Sequence, residues 1–305
     1  MRQTAMTNRK GAFRYVRTGL ATRQAVIAYI FLLPALIYFT VFFFVPIAIE
    51  FYTSLQKNQE PGVLVGFQNY IQAFGDSRVL NSVGVTVVFA VSVTLFGIIL
   101  GLLLAVLLDQ PLKGIAFLRA VFLVPYLTSA VIVGLMWRNI LDPLVGVLNR
   151  VLSAANLPTQ DWLSNYQAAL PAVIAITIWQ GVGYNMLLFL AGLQGIPPIY
   201  QEAAKIDGAG PWSRFWYITV PLLANTTLFV SIISVISTLQ AFTQAYVITQ
   251  GGPADATRFY VFNVFDVAFN QNNFAYASAL TFLMFIAILV LTFVQLRVSR
   301  KGVEY

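Results

Sequence analysis

Residues 201–223 read QEAAKIDGAGPWSRFWYITVPLL, a charged and alanine-rich segment that lies between two long apolar runs. Pro197 and Pro198 precede it and suit a helix N-terminus, because proline lacks the N–H donor that would be unpaired there. Gly208 and Gly210 end the helix, since glycine tolerates the left-handed cap. The segment therefore predicts a short helix, a sharp turn, and a second helix that enters the next apolar run.

The short helix has its own side-chain pattern. Ile199, Ala203 and Ile206 recur at helical spacing and form one apolar stripe. Glu202 and Lys205 are three residues apart, a spacing at which opposite charges on a helix can pair weakly. The helix is therefore amphipathic, and we expect it to lie across one surface of the protein.

Two interpretations of this amphipathic helix are open. An interfacial helix would rest its apolar stripe on lipid. However, the segment has few basic residues for anionic lipid, and Asp207 lies at the helix C-terminus, where the helix dipole disfavours an acid. An unfavourable charge beside a glycine turn favours a protein partner at this position.

The composition of the chain is that of a membrane protein. Of its 305 residues, 59% are hydrophobic and 10% are charged, with a mean hydropathy of +0.78. A soluble domain carries about 25% charged residues. Cysteine and histidine are both absent, which removes thiolate chemistry, the usual general base and the usual metal ligands, so no metal site is expected.

Six apolar runs are each long enough to cross a hydrocarbon core about 30 Å thick, which needs roughly 20 helical residues. They cover residues 25–49, 83–108, 116–136, 170–193, 218–246 and 276–296. Prolines within the runs are tolerated because neighbouring helices satisfy the freed carbonyls. The sequence therefore predicts an all-α polytopic membrane protein with six transmembrane helices.

The positive charges predict the orientation of these spans. Thirteen of the 18 lysines and arginines lie on the side of the termini and of the opening segment, and five lie on the other side. We therefore expect a basic cytoplasmic arm at 1–24, a transmembrane domain at 25–296, and a cytoplasmic tail at 297–305. The arm suits lipid contact better than nucleic acid, because aromatic residues do not interleave its charges.

The connections on the opposite side are longer and more polar. Residues 58–81 include GFQNY and are expected to hold a short surface helix. Residues 138–169 include LDPLVGVLN, and residues 250–274 begin with QGGPADAT, where two glycines and a proline predict a tight turn.

The opening segment resembles the EAA loop of binding-protein-dependent ABC importer permeases. The matching positions are Glu202, Ala203, Ala204, Asp207, Gly208, Ala209, Gly210, Ile218, Pro221 and Leu222. Four more stretches are similar to the carbohydrate branch, the maltose and glycerol-3-phosphate permeases: FLVPYLTSAVIVGLMWRNILDPLVGVLN, GLQGIP, VITQGGPADAT and YASALTFLMF. The tail VSRKGVEY is more like the first permease of such a pair than the second.

This resemblance implies a type I ABC importer permease fold in a bacterial inner membrane. It also implies that residues 197–221 form a coupling loop that docks into a groove of a cytoplasmic ATPase. The implied partners are a second homologous permease, two ATPase subunits and an extracytoplasmic solute-binding protein. The implied ATPase-coupling residues are Glu202, Ala203, Ala204, Lys205, Asp207, Gly208, Ala209 and Gly210.

The energy source is expected to lie outside this chain. It has no G-x-x-x-x-G-K-[ST] motif, so we expect ATP and magnesium to bind the partner ATPase and this chain to be a transporter subunit, not an enzyme. The main alternative is an ion-coupled secondary transporter. Proton relays place ionisable groups at mid-membrane, and none occurs near the middle of any run, although sodium sites built from carbonyls stay open. A channel would leave the docking loop unexplained.

Uncharged polar residues in three runs predict a substrate path. Hydroxyl and amide groups suit sugar hydroxyls, and aromatic faces suit the C–H faces of a sugar ring. Interhelical hydrogen bonding is the competing use for each such residue. On the fifth run Gln240, Thr243 and Gln244 are expected to share one helix face. The predicted path residues are Tyr126, Ser129, Gln180, Tyr184, Asn185, Gln240, Thr243 and Gln244.

Overall fold

The protein is mostly helical. The computed structural model describes the backbone of residues 9–110 and 113–300, and the side chains of residues 24–297 apart from 61, 111 and 112. The helices of the described residues are α1 (Arg9–Phe39), α2 (Val45–Ser54), α3 (Gln68–Gly75), α4 (Ser77–Leu108), α5 (Ile115–Leu127), α6 (Ala130–Ile140), α7 (Val147–Ala154), α8 (Tyr166–Gln194), α9 (Pro198–Ile206), α10 (Pro211–Arg214), α11 (Val220–Leu222), α12 (Ala224–Leu239), α13 (Tyr260–Phe265) and α14 (Phe274–Arg300).

Four helices are long and apolar enough to cross a membrane, and two bent helix pairs raise the number to six if each pair is one span. The four cover Gln24–Ser54, Ser77–Leu108, Tyr166–Gln194 and Phe274–Arg297. The structure thus has four to six candidate spans, and it agrees with the predicted six when each bent pair counts as one span. Helix α1 begins at Arg9 and α14 ends at Arg300, so parts of the expected arm and tail are helical, while residues 1–8 and 301–305 lie outside the described residues.

The first span joins the bundle at one end. A π-helical turn, Thr40–Phe44, connects α1 to α2, and the side chains from residue 24 to 49 are exposed. Near the end of α2, the ring of Phe51 lies 5.1 Å from the ring of Phe282 on α14. Most of this span therefore has no neighbour in the part of the chain that the structure describes.

Helices α4 and α8 form the centre of the bundle. Gly97 and Gly101 face Asn185, and a Cβ added at Gly101 would lie 2.7 Å from the Cβ of Asn185. Small residues at a four-residue spacing allow this close approach of two helices in lipid. The same pair contributes Phe89, Val93, Val173 and Ile176 to a buried cluster that Phe259 completes.

The third predicted span is not one straight helix. Helices α5 and α6 meet at an angle of 93° at Thr128 and Ser129. Pro125 cannot donate to the carbonyl one turn back, and the residue after Leu127 has extended backbone angles, so the helix ends there. The continuous span expected at 116–136 was therefore wrong, and two short helices replace it.

The fifth predicted span is also broken. The helix that begins at Pro211 bends by 64° before α12, and a π-helical turn, Phe215–Thr219, separates α10 from α11. Helix α12 ends at Leu239, the chain is irregular at 240–242, and helical turns resume at 243–249. The helical turns at 243–249 pack on α6, where a Cβ added at Gly134 would lie 2.9 Å from Cγ1 of Val247.

The end of the bundle where α4 begins carries the longer connections; we call it the hairpin end. An antiparallel hairpin, Gln56–Lys57 with Glu60–Leu64, precedes α3, so the all-α description omits one small sheet. Helix α3 is the surface helix expected between residues 58 and 81. The tight turn expected after residue 250 is present, with Gly251 at φ +80°, and α13 follows it as an unpredicted helix.

Candidate functional site

The short helix α9 is present where the sequence predicts it. It begins at Pro198 and its last residue is Ile206. Gly208 has φ +80°, its N–H donates to the carbonyl of Lys205 at 3.1 Å, and the N–H of Ala209 donates to the carbonyl of Ala204 at 2.9 Å. This is a Schellman cap, in which glycine takes the left-handed position. A second helix then begins at Pro211, as expected.

One face of α9 packs on the bundle. Ala204 is buried, and the Nε2 of half-buried Gln201 donates to Oγ1 of Thr219 at 3.2 Å. Beneath this face lies a cavity of about 440 Å³, whose wall includes Asp109 and Arg214. These contacts connect α9 to the broken fifth span, so a force on α9 would reach that span directly.

The opposite face of α9 has no partner among the described residues. The apolar stripe is present but points outward, with Ile199 67% and Ile206 86% exposed. Glu202, Lys205 and Asp207 are also exposed. Within the described residues Glu202 and Lys205 make no ion pair within 4.0 Å, so the predicted pairing between them was wrong. The exposed face therefore combines apolar and charged side chains that a partner could contact.

Of the eight predicted coupling residues, six are exposed and two face the rest of the bundle. Ala204 is buried and Ala209 is half-buried, both on the side that meets the bundle. A Cβ added at Gly208 or Gly210 would meet nothing within 4 Å. The exposed residues are Glu202, Ala203, Lys205, Asp207, Gly208 and Gly210.

A second feature is a cavity of about 180 Å³ midway along the bundle, between α4, α5, α8 and α12. It contains three of the eight predicted path residues, Tyr126, Tyr184 and Asn185. No charged residue lines it among the residues described. Its wall consists of Val93, Gly97, Tyr126, Thr177, Ile178, Gly181, Val182, Tyr184, Asn185, Ile233, Ser234, Ser237 and Thr238.

Two aromatic rings stack at one side of this cavity. The rings of Tyr126 and Tyr184 are 4.6 Å apart at their centroids, with 12° between their planes. The hydroxyl of Thr177 donates to the carbonyl of Val173 at 2.8 Å, and that of Thr238 donates to the carbonyl of Ser234 at 2.7 Å. The cavity thus offers aromatic surface, hydroxyl oxygens and one amide.

Five predicted path residues do not line this cavity. Ser129 precedes α6 at the bend, and Gln180 donates from Nε2 to the carbonyl of Thr128 at 3.3 Å. Gln240, Thr243 and Gln244 were expected on one helix face, and that was wrong, because α12 ends at Leu239 and the chain is irregular at 240–242.

The sequence reasoning missed several wall residues. Ser234 and Ser237 lie three residues apart on α12, a spacing that could have identified them as one polar face. Gly97 and Gly101 repeat the small-residue spacing typical of helix contacts in membranes. Thr177 carried no such signal, because a single threonine in an apolar helix usually bonds its own backbone.

A cluster of charges fixes the hairpin end. Arg258 donates to Asp255 at 2.6 Å and to Asp266 at 3.0 Å. Arg78 lies 3.5 Å from the other oxygen of Asp255, which links the start of α4 to the loop. Burial disfavours the charged form of Asp266, but hydrogen bonds from Asn270, Arg258 and Gln271, with the charge of Arg258, outweigh it and lower the pKa of Asp266.

Comparison with known proteins identifies the family of this chain. Residues 97–302 match the family model for the inner membrane component of binding-protein-dependent transport systems. The chain belongs to this family. It is therefore a permease subunit of an ABC importer, not an enzyme, and the family description confirms the predicted energy coupling over the ion-coupled alternative.

Individual relatives match this permease along nearly its full length. It is 34% identical over 284 residues to the sn-glycerol-3-phosphate transport system permease protein UgpA of Agrobacterium fabrum, covering 92% of this chain and 97% of that one. It is also 34% identical over 287 residues to the trehalose/maltose transport system permease protein MalF of Thermococcus litoralis, covering 92% and 96% of the two chains.

A solved structure shares the fold. It is the crystal structure of a bacterial ABC transporter involved in the import of the acidic polysaccharide alginate. The match has a TM-score of 0.84 at 22% identity and covers 94% of this permease and 100% of the other chain. The predicted type I importer fold is thus confirmed.

Proposed function

We propose that this permease carries a sugar, or a related polyol or glycerol phosphate, through the cavity lined by Tyr126, Tyr184 and Asn185. The observation that carries the proposal is the chemistry of that cavity: stacked aromatic rings, hydroxyls and one amide, with no charge among the described wall residues. Such a wall suits a polyhydroxylated solute, whose hydroxyls need uncharged partners. The relatives named for glycerol 3-phosphate and for trehalose and maltose support this class.

The cavity is half of a pathway in this proposal. A second, homologous permease completes it and supplies the facing wall. A phosphate-bearing substrate would need a cation from that second permease, because burying an unpaired dianion is costly. An extracytoplasmic binding protein delivers the solute at the hairpin end, which the proposal places outside the cell membrane.

The α9 face is the proposed ATPase contact. The exposed stripe of Ile199 and Ile206 suits an apolar groove, and exposed Glu202 suits a basic residue at the rim of that groove. Two ATPase subunits bind ATP and magnesium below the permease pair. Both termini and α9 then lie in the cytoplasm, with residues 1–24 as a basic arm and 297–305 as a tail.

The proposed mechanism is alternating access. ATP closes the ATPase dimer, the two coupling helices move together, and the contact between Gln201 and Thr219 transmits that movement to the fifth span. The cavity then opens toward the binding protein. Hydrolysis lets the ATPases separate, and the cavity opens to the cytoplasm.

The test is uptake by the assembled transporter, co-expressed with its neighbouring genes and placed in vesicles with ATP. Labelled maltose, trehalose and sn-glycerol 3-phosphate are offered separately, each with the cognate binding protein. The proposal expects ATP-dependent accumulation of one of these solutes or of a close structural relative that competes with it. Accumulation of an amino acid or a metal ion, with no competition by any polyol or sugar, would refute the substrate class.

A further inference from the structure

The bend between α5 and α6 leaves backbone groups that need partners. In a lipid environment each unpaired backbone group is costly, because water is not there to replace a lost helical hydrogen bond. The N–H of Thr128 donates to the carbonyl of Pro125 at 3.3 Å, and its hydroxyl donates to the carbonyl of Val124 at 3.0 Å. Its carbonyl accepts from the Nε2 of Gln180 at 3.3 Å. Gln180 thus provides a bond to the bend from a different helix.

Two contacts between α5 and the same face of α8 accompany this bond. One turn beyond Gln180, a Cβ added at Gly183 would overlap the carbonyl of Phe122, so the two backbones touch there. At the next position, Tyr184 stacks on Tyr126. Residues 180, 183 and 184 share a helix face at spacings of three and four. The three contacts together fix the end of α5 against α8.

The position of Tyr126 in the cavity depends on these contacts. Tyr126 lies two residues before Thr128, so a movement of the bend moves its ring. Gln180 itself is not part of the cavity wall, and one N–H of its side-chain amide donates to the Thr128 carbonyl. A direct role for Gln180 in binding a solute therefore has no geometric support among the described residues.

We propose that Gln180 is a positioning residue, which holds the α5–α6 bend so that Tyr126 stacks on Tyr184 in the substrate cavity. The inference deepens the proposed function, because it assumes that this cavity binds the solute. Gln180 acts on transport through Tyr126 and not by touching substrate. Loss of its N–H donor releases the Thr128 carbonyl and lets the end of α5 move away from α8.

A cross-linking experiment tests the positioning without any substrate. This chain has no cysteine, so Tyr126→Cys with Tyr184→Cys gives one reactive pair within the permease, which is studied in the assembled transporter in membranes. A short bifunctional thiol reagent should link the pair, as measured by the mass of the joined peptides. Adding Gln180→Met, which is similar in size but cannot donate, should lower the linked fraction about fivefold. A linked fraction unchanged by Gln180→Met overturns the proposal.

Gln167→Met is the matched control, because Gln167 is an exposed glutamine at the start of the same helix. It should leave the linked fraction unchanged. If Gln180→Met does not reach the membrane, Gln180→Leu replaces it, since a leucine side chain has no hydrogen-bond donor. A failed uptake assay would leave the cross-linking result valid, so the two proposals fail separately.

Transport kinetics separate positioning from direct binding. With the native tyrosines present, Gln180→Met should raise the half-saturation concentration about tenfold and change the maximal rate by less than twofold. In a Tyr126→Ala background, the same substitution should add nothing. Multiplicative effects of the two substitutions would show that Gln180 acts independently of Tyr126 and would overturn the positioning role.

Discussion

The ring of Tyr126 lies flat on the ring of Tyr184, with centroids 4.6 Å apart, and this contact connects the broken third span to the central helix α8. Stacked aromatic pairs contribute about 0.5–1.5 kcal/mol beyond their buried area. The pair therefore has two roles in this account: it forms one side of the substrate cavity and it keeps the end of α5 in register with α8.

We predict that the aromatic face of Tyr126, more than its hydroxyl, supports transport. Tyr126→Ala should raise the half-saturation concentration about tenfold, which corresponds to about 1.4 kcal/mol. Tyr126→Phe keeps the stacking surface and should stay within about threefold of wild type. Initial uptake rates at varied solute concentration measure both variants. An equal half-saturation concentration for the Ala variant and wild type would show that the solute binds elsewhere.

Gly208 is predicted to matter for ATPase contact and not for folding. Gly208→Asp should abolish uptake and reduce ATPase co-purification, while the permease still reaches the membrane. The left-handed conformation costs a non-glycine residue about 1–2 kcal/mol, and a Cβ at Gly208 meets nothing within 4 Å.

Gly62→Asp controls for that conformational cost. Gly62 has φ +91° and open space around it, but it lies in the hairpin at the other end of the bundle. This variant should still co-purify with the ATPase as wild type does. Undiminished uptake by Gly208→Asp, or an equal loss of ATPase co-purification in both variants, would argue against docking at α9.

The contact between α5 and α8 predicts a large stability effect at one glycine. Gly183→Ala places a Cβ against the carbonyl of Phe122, so the helices must separate, at a cost of about 1–3 kcal/mol for an overpacked site. Gly84→Ala, where nothing lies within 4 Å, should be neutral or slightly stabilising. Thermal unfolding in detergent measures both, and similar midpoints for the two variants would contradict the packing.

The charge cluster at the hairpin end predicts an acid-dependent loss of stability. The pKa of Asp266 is lowered in the folded protein, so its stabilising effect is present above the unfolded value of about 3.9 and is lost as pH falls through the folded pKa. Asp266→Asn should therefore be less stable than wild type at pH 7, and the difference should shrink below about pH 4. A difference that stays constant from pH 7 to pH 3 would exclude this linkage.

The sequence was sufficient to predict those elements for which a local signal and the tertiary structure agree. Pro198 begins α9, and Gly208 ends it in the left-handed conformation that the sequence predicts. The six spans follow from apolar length alone, because a helix is the structure that satisfies its own backbone in lipid. The coupling loop depends on these local rules, so it could be located to within a residue or two.

The cavity could not be predicted so closely, because contacts between residues far apart in the sequence form it. The break after Leu239 removes the helix face expected for Gln240 and Gln244, and no proline or glycine marks that break in the sequence. Pro125 did signal the other bend, yet its 93° angle depends on the packing of α5 against α8. Asn185 was predicted as a path residue from its polarity, but its fit against Gly97 is visible only in three dimensions.

The most direct test of the account uses liposomes that contain the permease pair with or without its ATPase. With the ATPase, the binding protein and ATP, we expect the solute to accumulate; without the ATPase, we expect no accumulation under a proton or a sodium gradient. Accumulation by the permease pair alone, driven by either ion gradient, would contradict the claim that a cytoplasmic ATPase drives this permease through α9.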